Sequence, residues 1–192
     1  TNFIKSIYPS KPVMTMSAMM GTGVTQVVDY ILGHRSQAIH REIGYGSDTF
    51  IAAEEKMSWF NTRVWLRQRE DKNLDFNEVI ADIFEGVRAG LKKHDSNVPH
   101  LKMFAADSDE ELTDFFKASL IGIDYDVIYD RKLDRKYSAL SLIINARCAA
   151  DPVVMADIVD DAVDVVSVKY DMKVRTFFLE TFGMMEEGKF NL

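Results

Sequence analysis

Residues 47–70 read SDTFIAAEEKMSWFNTRVWLRQRE, and the fold class follows from the period of their apolar side chains. Phe50, Ala53, Met57, Phe60 and Val64 recur at helical spacing behind a glycine-rich turn, which predicts an amphipathic helix. On such a helix Trp59 and Arg63 are neighbours, as are Arg63 and Arg67, while Trp65 and Arg69 form a second pair further round. Tryptophan and arginine are the residue types that anchor protein interfaces, so Trp59, Arg63, Trp65, Arg67 and Arg69 form a candidate interface.

Working outward, the same period recurs along most of the chain. DFNEVIADIFEGVRAGLKKHD (75–95) opens on an Asp75 cap with Glu78 three residues on, and Phe76, Val79, Ile80, Ile83, Phe84, Val87 and Leu91 fall on one face. Lys92, Lys93 and His94 sit where the helix dipole favours positive charge. Ser108 and Glu111 form a second capping box, predicting a helix that buries Leu112, Phe115, Phe116 and Leu120. Further helices are expected over 133–149, from Asp151 and Pro152 onward, and through MKVRTFFLETFGMM (172–185). Shorter ones are expected over 24–32 and 36–43, ended by Gly33 and Gly44.

Strand signals are fewer. IGIDYDVIYD (121–130) alternates apolar and acidic residues, PHLKMFAA (99–106) is its expected partner, and NFIKSIY and PVMTM are candidate edge strands. The expected fold is therefore mostly α: a multi-helix single domain over 1–192 with a minor β-sheet of few short strands, its N-terminal residues 1–16 forming an extended arm.

A chain of 192 residues with 28% charged side chains is long enough for a substantial core. It contains no apolar run long enough to cross a membrane, and TNFIKSIYPSKP lacks the apolar core of a signal peptide. The single cysteine, Cys148, can form no intramolecular disulfide; a reducing, cytoplasmic setting and a buried thiol are expected. The net charge is −7, and its excess lies in residues 106–171, with 15 acidic against 7 basic side chains. Such an acidic chain disfavours nucleic acid as a partner.

The acidic excess centres on DIVDDAVD (157–164), where Asp157, Asp160, Asp161 and Asp164 stack into one stripe of a helix. Carboxylates a turn apart can share Mg²⁺, which in turn orients a diphosphate. DDAVD is similar to the aspartate-rich motif of prenyl-diphosphate synthases and terpene cyclases; the likeness covers five residues and no second such motif follows. ELTD (Glu111, Asp114) resembles half of the ExxE and ExxD pairs of all-helical nucleoside triphosphate pyrophosphohydrolases, without the ExxE. His94 with Asp95 is similar to the dyad of HD-domain phosphohydrolases, whose other ligands have no counterpart here. Amphipathicity alone explains an acidic stripe as the wet edge of a buried helix.

His34, His40, His94 and His100 show no metal-ligand spacing, and Gly21 with Gly23 is read as a turn and helix start, short of a phosphate loop. With no nucleophile elbow either, the expected function is a non-enzymatic protein–protein interaction or assembly protein that self-associates. Ten methionines and twelve phenylalanines suit such adaptable contacts. The alternative is a Mg²⁺-dependent phosphohydrolase built on the Asp157–Asp164 stripe, with no other cofactor implied.

Overall fold

The computed structural model describes residues 1–18, 20–33, 48–107 and 113–183. The chain divides into two compact units, Thr1–Ile43 and Gly44–Leu192. In the first, α1 (Asn2–Ile7) and α2 (Val24–Gly33) bury no residue of their own. Gly21 and Gly23, at φ 70° and 76°, make the turn into α2, and a Cβ on Gly23 would stand 2.3 Å from the Thr15 carbonyl oxygen. Residues 24–32 are helical as expected, whereas NFIKSIY is a helix and not an edge strand: Phe3, Ile4 and Ile7 fit one helical face. The expected helix over 36–43, with His34 and His40, lies outside the described residues.

In the second unit the elements run α3 (Asp48–Glu54), β1 (Ser58–Gln68), α4 (Phe76–Lys93), β2 (His100–Ala106), β3 (Phe115–Leu120), β4 (Ile128–Arg131), β5 (Ala139–Cys148), α5 (Pro152–Lys169) and β6 (Met172–Gly183). They build one antiparallel sheet of six strands in the order β4-β3-β2-β5-β1-β6. The fold is α+β, which corrects the expectation of a mostly helical domain. Strand β5 lies between β1 and β2, and β1 lies between β5 and β6, so the β1-α4-β2 and β5-α5-β6 units interleave as a ferredoxin-like split βαβ, with the β3–β4 hairpin added at the edge of β2. The two crossovers run in opposite directions from oppositely directed strands. Right-handedness therefore puts both helices on the same face.

Four expected helical stretches are strands, and for three of them the reason is common. In β1, Ser58, Phe60, Thr62, Val64, Leu66 and Gln68 are buried and alternate with half-buried or exposed residues, a period of two. Because Trp59 and Trp65 lie on the other face, polarity does not alternate with burial, and Phe60 and Val64 also match a helical stripe. Strand β5 buries Leu140, Leu142, Ile144, Ala146 and Cys148 by the same rule, and β3 buries Phe116, Ala118 and Leu120. Strand β6 has one buried residue, Met172, so burial left no pattern in its sequence to read. The capping residues Ser108 and Glu111, and Leu112, fall outside the described residues.

The helices α4 and α5 and strand β2 stand where the periodicity puts them. The Asp75 carboxylate caps α4, accepting from the Asn77 N–H at 3.0 Å, and Asp151 caps α5, accepting from the Val153 N–H at 2.8 Å. Met155, Ile158, Val159, Ala162, Val163 and Val166 of α5 meet the seven buried residues of α4 and the sheet's inner face in a single core. Two glycines set the helix separation. A Cβ on Gly86 would lie 2.9 Å from the Ala162 Cβ, and one on Gly90 would lie 2.6 Å from the Ile158 Cγ2. Asp82 fastens the far end of α5, accepting from Lys169 Nζ at 2.5 Å and Tyr170 Oη at 2.7 Å. Gly86→Leu forces the helices apart at a point backed by main chain, and urea unfolding followed by circular dichroism is expected to show a loss of about 1–3 kcal/mol.

Candidate functional site

With both helices on one side, the other face of the sheet carries the side chains that β1, β2, β3, β5 and β6 turn away from the core. Cross-strand register orders them in rows. Phe182, Trp59, Arg147 and His100 make the first; Glu180, Asn61, Asn145, Lys102 and Ser119 the second; Phe178, Arg63, Ile143, Phe104 and Lys117 the third. Arg175, Trp65, Ser141, Ala106 and Phe115 make the fourth, and Lys173, Arg67 and Ala139 the fifth. In these rows seven lysines and arginines and six aromatic rings stand with one carboxylate, Glu180, and Asp130 of β4 lies on the same face beside Lys117.

Ring faces and guanidinium groups alternate across it. Arg147 lies 4.7 Å from the Trp59 ring centre, Arg67 lies 5.6 Å from Trp65, and Arg63 and Arg175 flank Phe177 at 5.5 and 5.3 Å. Trp59 stacks on Phe182 with an interplanar angle of 13°. Further out, Lys102, Phe104, Lys117, Asp130, Ile143 and Asn145 are among the residues that line an open depression of about 250 Å³. Arg67 is held by Asp71, Arg147 by Glu54 and Lys117 by Asp130, carboxylates contributed from outside the rows. Burial, followed by the nearby Lys102 charge, lowers the His100 pKa, which keeps the imidazole neutral at pH 7.

The structure brings together Trp59, Arg63, Trp65 and Arg67, four of the five candidate interface residues. A strand, with its period of two, achieves this, whereas a helix would have split off Trp65. Arg69 lies past the end of β1 and pairs with Asp171 at 3.2 Å. The remaining members of the face, among them Lys102, Phe104, Ile143, Arg147, Arg175 and Phe178, escaped sequence reasoning. Their signal was the odd–even alternation within β2 and β5, which becomes a surface only when the strands are aligned, while the bulged β6 offered none.

Asp157, Asp160, Asp161 and Asp164 stand exposed on the outer side of α5, away from the sheet. Among the described residues no three His, Cys, Asp or Glu side chains are grouped to hold a metal ion. Asp114 precedes β3 and accepts from Tyr137 Oη at 2.7 Å and the Asp134 N–H at 3.0 Å, Asp82 of the neighbouring helix α4 is taken up by Lys169 and Tyr170, and Glu111 is outside the described residues. His94 is the C-cap of α4, and Cys148 is buried 3.1 Å from the Ser58 hydroxyl, its thiol pKa raised by burial.

Partial burial, then the charges of Asp164, Asp157 and Asp161, raise the Asp160 pKa. A raised carboxyl pKa means the folded state holds that proton more tightly than the unfolded chain. Ionised Asp160 therefore detracts from stability at neutral pH and ceases to do so as pH falls through the carboxylate range. Asp160→Asn is expected to stabilise the protein at pH 7 by a few tenths of a kcal/mol, as like charges one turn apart cost roughly 0.2–0.5 kcal/mol. Thermal melts at pH 7 and pH 4 check this, the gain at pH 7 shrinking at pH 4.

No protein-family model matches the chain, and no curated protein matches it. Among solved structures it is similar to a hydantoinase/carbamoylase family amidase from Burkholderia ambifaria, at 11% identity and TM-score 0.39 over 76% of this chain and 35% of that one. An amidase of the same family from Burkholderia vietnamiensis matches at 8% identity and TM-score 0.39 over 71% and 33%. The chain spans about a third of the length of these amidases. A likeness this shallow transfers neither fold nor activity. The expectation of a non-enzymatic assembly protein is corrected: no comparison supports it, and the helix that was to carry its candidate interface is strand β1. Among the described residues the phosphohydrolase alternative finds no group of three metal-ligating side chains. Among the described residues no helix is long and apolar enough to cross a membrane.

Proposed function

We propose that the chain is a binding module for single-stranded nucleic acid and that the open sheet face is its binding surface. The observation that carries this reading is the composition of the face, seven lysines and arginines with six aromatic rings in its rows against two carboxylates, Glu180 and, beside Lys117, Asp130. Cations track a phosphate backbone, while rings and guanidinium planes stack on unpaired bases. A duplex hides its base faces and offers the rings nothing to stack on. The same face of another copy would set arginine against arginine.

The net charge of −7 argues against nucleic acid only if charge is evenly spread. It is segregated: the Asp157–Asp164 stripe lies on the helix layer and the cations of β1, β2, β5 and β6 on the opposite side of the sheet. Both tryptophans of the chain, Trp59 and Trp65, lie on the open face, so intrinsic fluorescence reports on it directly.

Titration with an oligothymidine of roughly 16 nucleotides is expected to quench that fluorescence saturably. The logarithm of the affinity should fall with that of salt concentration at a slope of roughly −2 to −4, three to five phosphates being neutralised. An Arg63→Ala, Phe104→Ala variant keeps both reporters and is expected to bind at least about tenfold more weakly, since one stacked base is worth about 1–3 kcal/mol. Absence of quenching at low salt, equal binding of duplex, or a variant that binds like the parent would overturn the proposal.

A further inference from the structure

Strand β6 pairs with β1 along its whole length and, among the described residues, with nothing on its other side. It is an edge of twelve residues, with Phe177, Phe178 and Leu179 exposed by 52%, 42% and 38% at its middle. The opposite edge, β4, has four residues and carries Asp130 and Arg131. Short, charged edges resist pairing with another chain, and a long apolar one invites it.

The detail that selects a partner is the bulge. The register of β6 on β1 shifts between Arg63 and Val64, leaving Phe177 as the extra residue. Lys173 and Arg175 before it therefore share the open face with Phe178, Glu180 and Phe182 after it, while Val174, Thr176, Leu179 and Thr181 face the helix layer. In a regular strand Arg175 and Glu180, five residues apart, would point to opposite faces.

We propose that β6 pairs antiparallel with β6 of a second copy about a two-fold axis perpendicular to the sheet, between Phe177 and Phe178. All twelve residues then overlap, with Met172 opposite Gly183 of the second copy. Arg175 meets the second copy's Glu180, and by symmetry Glu180 meets its Arg175. Neither has an ion-pair partner within its own chain among the described residues, so both are available for these two pairs. Outside the central Phe177–Phe178 pair, every opposed pair lies on one face, as direct cross-strand neighbours must. A slip of one residue would oppose side chains from different faces. A slip of two would leave strand ends unpaired.

The two-fold axis closes the contact at a dimer. It also leaves both open faces on the same side of one continuous sheet, doubling any surface they present. The contact itself is independent of the nucleic-acid reading, because its residues act through backbone pairing and their own charges.

The test is sedimentation velocity of the full chain over a range of concentrations. The parent is expected to dimerise reversibly. Glu180→Arg turns two attractive pairs into two repulsive ones and should raise the dissociation constant by roughly tenfold or more, each directly opposed pair contributing up to about 1 kcal/mol. Arg175→Glu added to the same chain recreates both pairs in reverse and should restore the dimer. Both positions are exposed, and circular dichroism confirms that each variant is folded; should the reversal not fold, Glu180→Gln takes its place, with a smaller weakening expected. A chain that stays monomeric throughout, a dimer indifferent to Glu180→Arg, or a double variant that fails to recover would overturn the proposal.

Discussion

The handedness of two crossovers governs this structure. A right-twisted strand leading into a helix and back to a parallel strand closes efficiently only in the right-handed sense. Here two such units interleave with opposite directions, so α4 and α5 have no choice but the same face. One side of the sheet becomes the wall of the core. The other is left without a covering layer among the described residues of that unit, and it must be tolerable to water or matched to a partner.

The chain meets that condition by giving each strand two different surfaces. Inward positions of β1 and β5 hold Phe60, Val64, Leu66, Leu140, Leu142 and Ile144, all at or below 4% exposure. Outward positions hold residues with an apolar body and a polar tip, tryptophan and arginine above all, whose stems and rings shield the sheet while the charges stay wet. The arginines lie over the rings, so the cover is made by side chains of the sheet itself. On the opposite side the helices approach at Gly86 and Gly90, and Asp82 holds the end of α5. The acidic stripe of α5 is then simply what remains of that helix once its inner face is filled. Charge segregation between the two layers follows from topology, since basic strands and acidic helix were written into one sequence and separated only by folding.

How much of this could be read beforehand differs by element. Helix α4 has a cap, a dipole-matched end and one wide apolar stripe, and nothing else in that stretch competes with it. Helix α5 and strand β2 are similarly unambiguous. Strand β1 was misread because Trp59 and Trp65 on the wet face look as apolar as Phe60 and Leu66 on the dry one, and tryptophan is amphipathic enough to serve on either. Strand β5 runs Leu-Ile-Ile with Ile143 outward and 37% exposed, again an apolar residue on the open side. Strand β6 carried no burial pattern, because as an edge with its outer face open it buries little. The interface candidates fared better than the element that was to carry them: Trp59, Arg63 and Arg67 stay together on helix or strand, since separations of four residues preserve the face in both.

Local chemistry was the sequence's own decision. Capping at Asp75 and Asp151, the apolar stripes of the two long helices and the exposed aspartate row depend on neighbours within a turn, and short-range order is legible in a one-dimensional string. Whether a two-sided segment becomes strand or helix, which cations share a face, and that Arg175 and Glu180 come to lie on the same side of β6 were decided by tertiary structure alone. Those outcomes depend on strand order, register and a single extra residue at Phe177. Each is set by contacts between segments dozens of residues apart, about which the spacing of residues within a segment carries no information.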